Sequence, residues 1–228
     1  MTIDKAKYTA WQCDDIDKVQ ADISLLDMYA TDSANRLRVA VDTDVLNAMG
    51  DGAHASNKGN TAGAISSSID LGDNATPGTT NAIAVTSANA ITKIVEVNQC
   101  LDEQNIGNEG RFIVIPSWYA ALLKLGDLKR ADITGDPTGV IRNGKIGMVD
   151  NTMVYVNNNL TSNTDGNTNT GFEIVAGTKE ATSFAMQISK TDKLPIPTSF
   201  GQYIRTLWVY GRKVVRPEAL VDLFAYKG

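Results

Sequence analysis

The 228-residue chain contains one histidine and two cysteines, and each scarcity removes a class of chemistry. The histidine, His54, lies in Gly50-Asp51-Gly52-Ala53-His54-Ala55-Ser56, a small-residue stretch that reads as a solvated surface loop. A Ser-His-Asp triad would depend on it, yet there is no Gly-x-Ser-x-Gly elbow to supply a nucleophile. Neither common phosphate cradle is present: no Gly-x-x-x-x-Gly-Lys-Ser/Thr loop, and no Gly-x-Gly-x-x-Gly after a strand. Cys13 and Cys100 lack Cys-x-x-Cys spacing and read as buried reduced thiols, neither a bridge nor a metal site. The carboxylate pairs Asp14-Asp15 and Asp102-Glu103 sit at expected helix ends, where capping explains them. With no convergent set of titratable groups, neither enzymatic activity nor a cofactor or metal is expected.

Long hydrophobic runs are also missing. No stretch approaches the roughly 20 apolar residues that span a bilayer, and Met1-Thr2-Ile3-Asp4-Lys5 has no basic segment leading into an apolar one. No membrane partner is expected. The formal charge of −5, without a basic block, argues against a dedicated nucleic-acid surface. Hydrophobic residues at 43% and charged residues at 21% describe a chain that folds.

From Asp14 to Met49 there is neither glycine nor proline. Ile16, Val19, Ile23, Leu26, Ala30, Leu37, Val41, Val45 and Ala48 recur at spacings that keep one helical face. This pattern predicts a single amphipathic helix capped by Asp14 and Asp15 and stopped by Gly50 and Gly52. Such a helix would be about 50 Å long, more than the diameter of about 45 Å expected for a compact chain of this size. It would be a strut; a coiled-coil segment or a helix bent near Ser33-Ala34-Asn35 are the alternatives. Residues 51–82 read as a long loop with one short apolar patch.

Downstream, Ile83 to Thr86 reads as a strand, Ser87 as the cap of a helix to about Gln104, Arg111 to Ile115 as a buried strand, and Ser117 to Leu125 as a helix. Residues 145–156 predict a hairpin turning at Asp150-Asn151, and Asn157 to Thr170 an exposed loop. Phe172 to Ala176, Ser183 to Ile188 and Tyr203 to Pro217 read as strands, the last interrupted at Gly211, with a short strand or turn at Ala219 to Phe224.

Several of these segments, in this order, carry a family resemblance. They are Asp14-Asp15-Ile16-Asp17 opening a long helix, and Cys100-Leu101-Asp102-Glu103-Gln104-Asn105-Ile106 before Gly110-Arg111-Phe112-Ile113-Val114-Ile115-Pro116. Ile146-Gly147-Met148-Val149-Asp150 then leads into Val154-Tyr155-Val156-Asn157-Asn158, and Tyr210-Gly211 precedes Val214-Val215-Arg216-Pro217-Glu218-Ala219-Leu220. The chain resembles the major capsid proteins of tailed bacteriophages, with the Hong Kong ninety-seven-type shell fold. The resemblance implies an α+β fold: a long spine helix with peripheral β-strands, plus an axial α/β domain. By this likeness residues 1–82 form a peripheral domain with spine helix 14–49, and 83–182 the axial domain. Residues 183–216 return as peripheral strands, with Tyr203 to Val209 running back along the helix, and 217–228 rejoin the axial domain.

The implied function is a structural subunit that self-assembles, through hexamers and pentamers, into the icosahedral head shell around a phage genome. Scaffolding, portal or decoration proteins are implied partners, packaged DNA is contacted only non-specifically, and the shell is assembled in the host cytoplasm before residing in the virion. A cellular nanocompartment shell with the same fold is the alternative, and an α/β ligand-binding domain or enzyme a weaker one. Relatives carry an N-terminal arm and an extended loop ahead of the spine helix. Here Thr2 to Trp11 resembles that loop's descending strand, so the expectation is a shortened chain that stays a monomer or small ring until the upstream parts are restored. The charge pattern nominates inter-subunit contacts: Arg205, Arg212, Lys213 and Arg216 against a neighbour's Asp22, Asp27 and Asp32.

Overall fold

A computed structural model describes residues 2–14, 25–74, 81–126, 147–198 and 200–228. The chain groups into two compact units, Met1–Val45 with Ser183–Lys213, and Leu46–Thr182 with Val214–Gly228. Residues 46–82, expected with the first unit, group with the second, as do 214–216. Their backbone hydrogen bonds explain why: Phe224 N–H donates to the Leu71 carbonyl at 2.8 Å, and Val215 N–H to that of Ala181 at 2.8 Å.

In the first unit, strands β1 (Lys5–Asp14), β8 (Thr182–Pro195) and β9 (Gly201–Val214) form a sheet in the order β1-β9-β8. β1 pairs antiparallel with β9 from Lys5 opposite Tyr210 to Asp14 opposite Gly201. Gly211 does not interrupt β9; a Cβ there would fall 2.4 Å from the Thr2 carbonyl oxygen, so glycine lets the first residues lie against the strand.

Helix α1 is described over Leu25–Asp51. Asp14 is the last residue of β1, in extended backbone paired with Gly201. Asp15, Ile16, Val19, Ile23 and the Leu26 side chain lie outside the described residues. Within α1 the buried positions Ser33, Leu37, Val41 and Ala48 fall four, four and seven apart, one stripe along the helix, joined at its end by Met49 and Gly50. The helix is continuous through Ser33-Ala34-Asn35 and ends at Asp51, where Gly52 N–H still bonds the Ala48 carbonyl at 3.1 Å.

The second unit is built on a seven-stranded sheet. Its strands are β2 (Ile83–Val85), β3 (Arg111–Ile115), β4 (Met148–Val149), β5 (Thr152–Val156), β6 (Ser162–Thr164), β7 (Thr170–Thr178) and β10 (Leu220–Lys227). They run in the order β2-β10-β7-β3-β5-β4, with β6 on β7. Helices α2 (Ala90–Glu103) and α3 (Ser117–Leu125) bury Ile94, Val97, Leu101, Tyr119 and Leu123. Pro116 ends β3 and its carbonyl accepts from Tyr119 and Ala120 N–H at 3.1 and 3.2 Å, so one residue closes a strand and opens a helix.

The hairpin turns at Asp150 and Asn151, both in the left-handed region at φ 47° and 57°, which a two-residue turn demands. Ser87 does not cap α2. The helix begins at Ala90 after Asn89, whose side-chain oxygen accepts from Thr86 N–H at 2.7 Å. Ala219 to Phe224 is more than a turn, because β10 lies between β2 and β7 and is buried from Leu220 to Ala225. The stretch 157–170, expected to be exposed, contains β6 and the buried Leu160 and Asp165, the latter accepting from Asn167 and Asn169 N–H. In the loop after α1, fully buried Asn57 donates to the Glu218 and Leu220 carbonyls at 2.8 Å each, tying it to the start of β10.

Candidate functional site

The charged surface of the first unit is set by α1 and β9. Asp44, in the next to last turn of the helix within this unit, accepts from Arg212 Nε and Nη2 at 2.6 and 2.9 Å and from Tyr210 Oη at 3.0 Å. The Arg212 hydrogen bond holds the Asp44 carboxyl below its usual range against the opposing effect of burial. Burial and Asp44 push the Tyr210 hydroxyl up to about 12. At the other end of the same helix, Trp11 of β1 stacks on Tyr29 with centroids 5.5 Å apart, and the Arg36 guanidinium lies 5.0 Å from the Trp11 ring centroid. Tyr29 and Arg36 are seven residues apart, two helical turns, so both reach the indole from one face.

The residues nominated from charge pattern occupy different settings. Asp22 lies outside the described residues. Asp27 is exposed in the first turn of α1, and Asp32 pairs with Arg36 one turn on at 2.7 Å. Arg205 stands 3.7 Å from Asp192, which also meets Lys190 at 3.2 Å. Lys213 is exposed. Arg216, in the second unit, reaches Glu180 at 3.1 Å. Arg212 differs in geometry: its guanidinium grips Asp44 in a two-pronged pair, a partner 168 positions away. Nothing in the local sequence around Asp44 marks it as that partner.

The second unit gathers titratable groups that sequence spacing gave no reason to join. Asp102 pairs with the buried Arg111 at 2.6 Å, and Arg111 also donates to the Ile106 carbonyl at 2.6 Å. Glu103 accepts from Ser66 and Ile65 N–H at 3.0 and 2.8 Å; these bonds, Ser66 foremost, bring its carboxyl down to about 2. Asp102 and Glu103 thus fasten a strand and a loop. Cys13 and Cys100 are free and buried, and burial raises the Cys100 thiol to about 12, an inert state. His54 is half-buried, accepting from Ser56 N–H through Nδ1 at 3.2 Å.

Glu173 and Asp222 are 4% and 7% exposed. Glu173 Oε1 accepts from the Asn74 amide, while Glu173 Oε2 and Asp222 Oδ1 are buried without a hydrogen-bond partner. Burial raises Glu173 to about 7 and Asp222 to about 8; Asp51 adds to both shifts and Lys58 opposes them. The adjoining cavity of about 50 Å³ is far smaller than a pocket for an organic substrate. Among the described residues no three acidic, histidine or cysteine groups are arranged to hold a metal ion.

The phage capsid protein family profile matches residues 2–223. The chain belongs to that family. Among solved structures, a chain of Mycobacterium phage Che8 is 27% identical with a TM-score of 0.74, the match covering 96% of this chain and 70% of that one. The capsid of cyanophage P-SCSP1u is 16% identical with a TM-score of 0.73, covering 99% and 73%. A virus-like particle from Pyrococcus furiosus is 14% identical with a TM-score of 0.54, covering 96% and 75%, and shares the fold alone. Among curated proteins no relative matches. This capsid subunit therefore has the α+β, Hong Kong ninety-seven-type shell fold. Its role is structural: a major capsid subunit that joins copies of itself in the shell of a virion. The family match favours the phage head over a cellular nanocompartment.

Proposed function

We propose that the subunit assembles in the host cytoplasm as hexamers and pentamers of an icosahedral head, with no catalytic activity of its own. The match to phage capsid proteins over residues 2–223 carries this reading. The unit holding α1 and β8–β9 would be the peripheral domain and the seven-stranded unit the axial one. Scaffolding, portal and decoration proteins would bind the assembled shell, and packaged DNA would meet it only non-specifically, in keeping with a net charge of −5.

Like-charged copies repel, and salt shortens the range of that repulsion to about 10 Å at 0.1 M. Shell contacts therefore strengthen as salt rises, many weak contacts acting together. Arg205, Lys213 and Arg216 would meet Asp27 and Asp32 of neighbours; Asp22 belongs to the same acidic set, while Arg212 would contribute through the shape it holds with Asp44. Sedimentation velocity and electron microscopy of the full chain from low to high salt test the reading, and rings or shells that grow with salt are expected. Arg205→Glu should weaken them and Asp32→Arg on the same chain should restore part of the loss. A chain that stays monomeric at every salt concentration even with a family member's arm and extended loop fused ahead of Thr2 counts against the proposal.

A further inference from the structure

Glu173 and Asp222 sit where two buried strands of a shell subunit would ordinarily be apolar. In the β7–β10 register Asp222 lies opposite Val175 and Phe224 opposite Glu173, so the two carboxyl groups are diagonal neighbours on one face of the sheet. A carbon added to Gly50 would stand 3.0 Å from Glu173 Oε2 and 3.6 Å from Asp222 Oδ1. The two unpartnered oxygens therefore open on to the same small space at the end of α1.

The charged groups around that space come from each neighbouring element: Asp51 at the end of α1, Lys58 just beyond it, and Asp73 in the loop before β2. With the pair itself, four acidic residues and one lysine line the space. Lys58 Nζ donates to the Asp51 main-chain oxygen at 3.1 Å. Two ionised carboxylates here would leave two buried acceptors without a donor, the most costly state for such groups.

We propose that the Glu173–Asp222 pair keeps one proton at neutral pH, so that β7 and β10 are joined by a proton-held lock that loosens in mild alkali. The proton turns one oxygen into a donor, and the other accepts from it, directly or through a water in the cavity of about 50 Å³. Burial, which raises the two groups to about 7 and about 8, acts in the same direction, as do Asp51 on both and Glu173 on Asp222. A metal ion suits the place less, because among the described residues no three of these side chains are arranged to hold one. In the unfolded chain both groups are ionised above about pH 5. The native pair binds more protons from there up to about pH 8, so stability falls as pH rises through that window. The proposal concerns the folded subunit itself and is tested on unassembled chain, independently of the shell reading.

Thermal melts of the full chain in EDTA, from about pH 6 to about pH 9, compare wild type with Glu173→Gln and Asp222→Asn, amides of the same shape that cannot ionise. The wild-type midpoint is expected to fall by several degrees more than that of either variant. Infrared difference spectra of the wild type should show a protonated carboxyl band at neutral pH that vanishes in alkali; this titration needs no variant. Melting curves that shift in parallel for all three chains, or a missing carboxyl band, overturn the proposal. So does stabilisation by millimolar calcium or magnesium that removes the pH dependence without such a band, which would assign the space to a cation.

Discussion

The two units of this capsid subunit are held together by different means. The seven-stranded unit has a core in the usual sense: Ile113, Ile115, Ile174, Leu223 and Phe224 are fully buried on adjoining strands. Among the described residues, the unit formed by β1, β8, β9 and the first part of α1 buries Leu37, Ile204 and Tyr210 and adds polar and aromatic clamps around Asp44 and Trp11. A three-stranded sheet has little apolar area to give, so directed contacts do more there. The lesson is that one chain can place its thermodynamic weight in one unit and its geometric specificity in the other.

Truncating the core strand should have the largest effect. Phe224→Ala is expected to cost about 3–5 kcal/mol in denaturant unfolding of the second unit. Hydrogen exchange should show protection lost first in β7 and β10. Leu37→Ala tests whether the clamped unit has an apolar core at all: about 2–5 kcal/mol is expected if the buried stripe of α1 behaves as one, and an unchanged melting curve would show that the clamps alone hold it.

Asp44→Ala should cost less, about 1–3 kcal/mol, because the pair it breaks is partly hydrated. The Asp44 carboxyl is held low, so its contribution is present above the unfolded value near 3.8 and is lost as pH falls through the folded one. The two units should thus respond to pH in opposite directions, the Asp44 clamp failing in acid and the Glu173–Asp222 pair in alkali; hydrogen exchange at both extremes reads this out. The smallest effect belongs to Asp32→Ala. It removes an exposed pair with Arg36 and should change the stability of the monomer by less than about 0.5 kcal/mol, so any larger effect on assembly reports a contact between copies.

Elements with a local cause were legible before the fold was known. The β-branched run Arg111 to Ile115, the break at Pro116, the helix over Ser117 to Leu125 and the turn at Asp150-Asn151 depend on backbone preferences acting within a few residues. The order of those segments also sufficed to suggest the capsid family, because each matched stretch is a short local signature. The pairing of β1 with β9 was not legible. The ladder from β1 to β9 draws Asp14 into a strand, and the partner strand lies almost two hundred residues away.

By itself, then, the sequence determined which segments turn, which extend, that both thiols are buried, and that the architecture is that of a shell subunit. Only the tertiary structure decided that Leu220 to Ala225 is an inner strand, that residues 46–82 belong with it, and that Arg212 is held by Asp44. It alone brought Glu173 and Asp222 to one buried face. The reason is physical: local propensity acts over a turn or a pair of residues, whereas strand register couples residues across the whole chain, and a carboxyl group does not declare in sequence whether its strand will be dry.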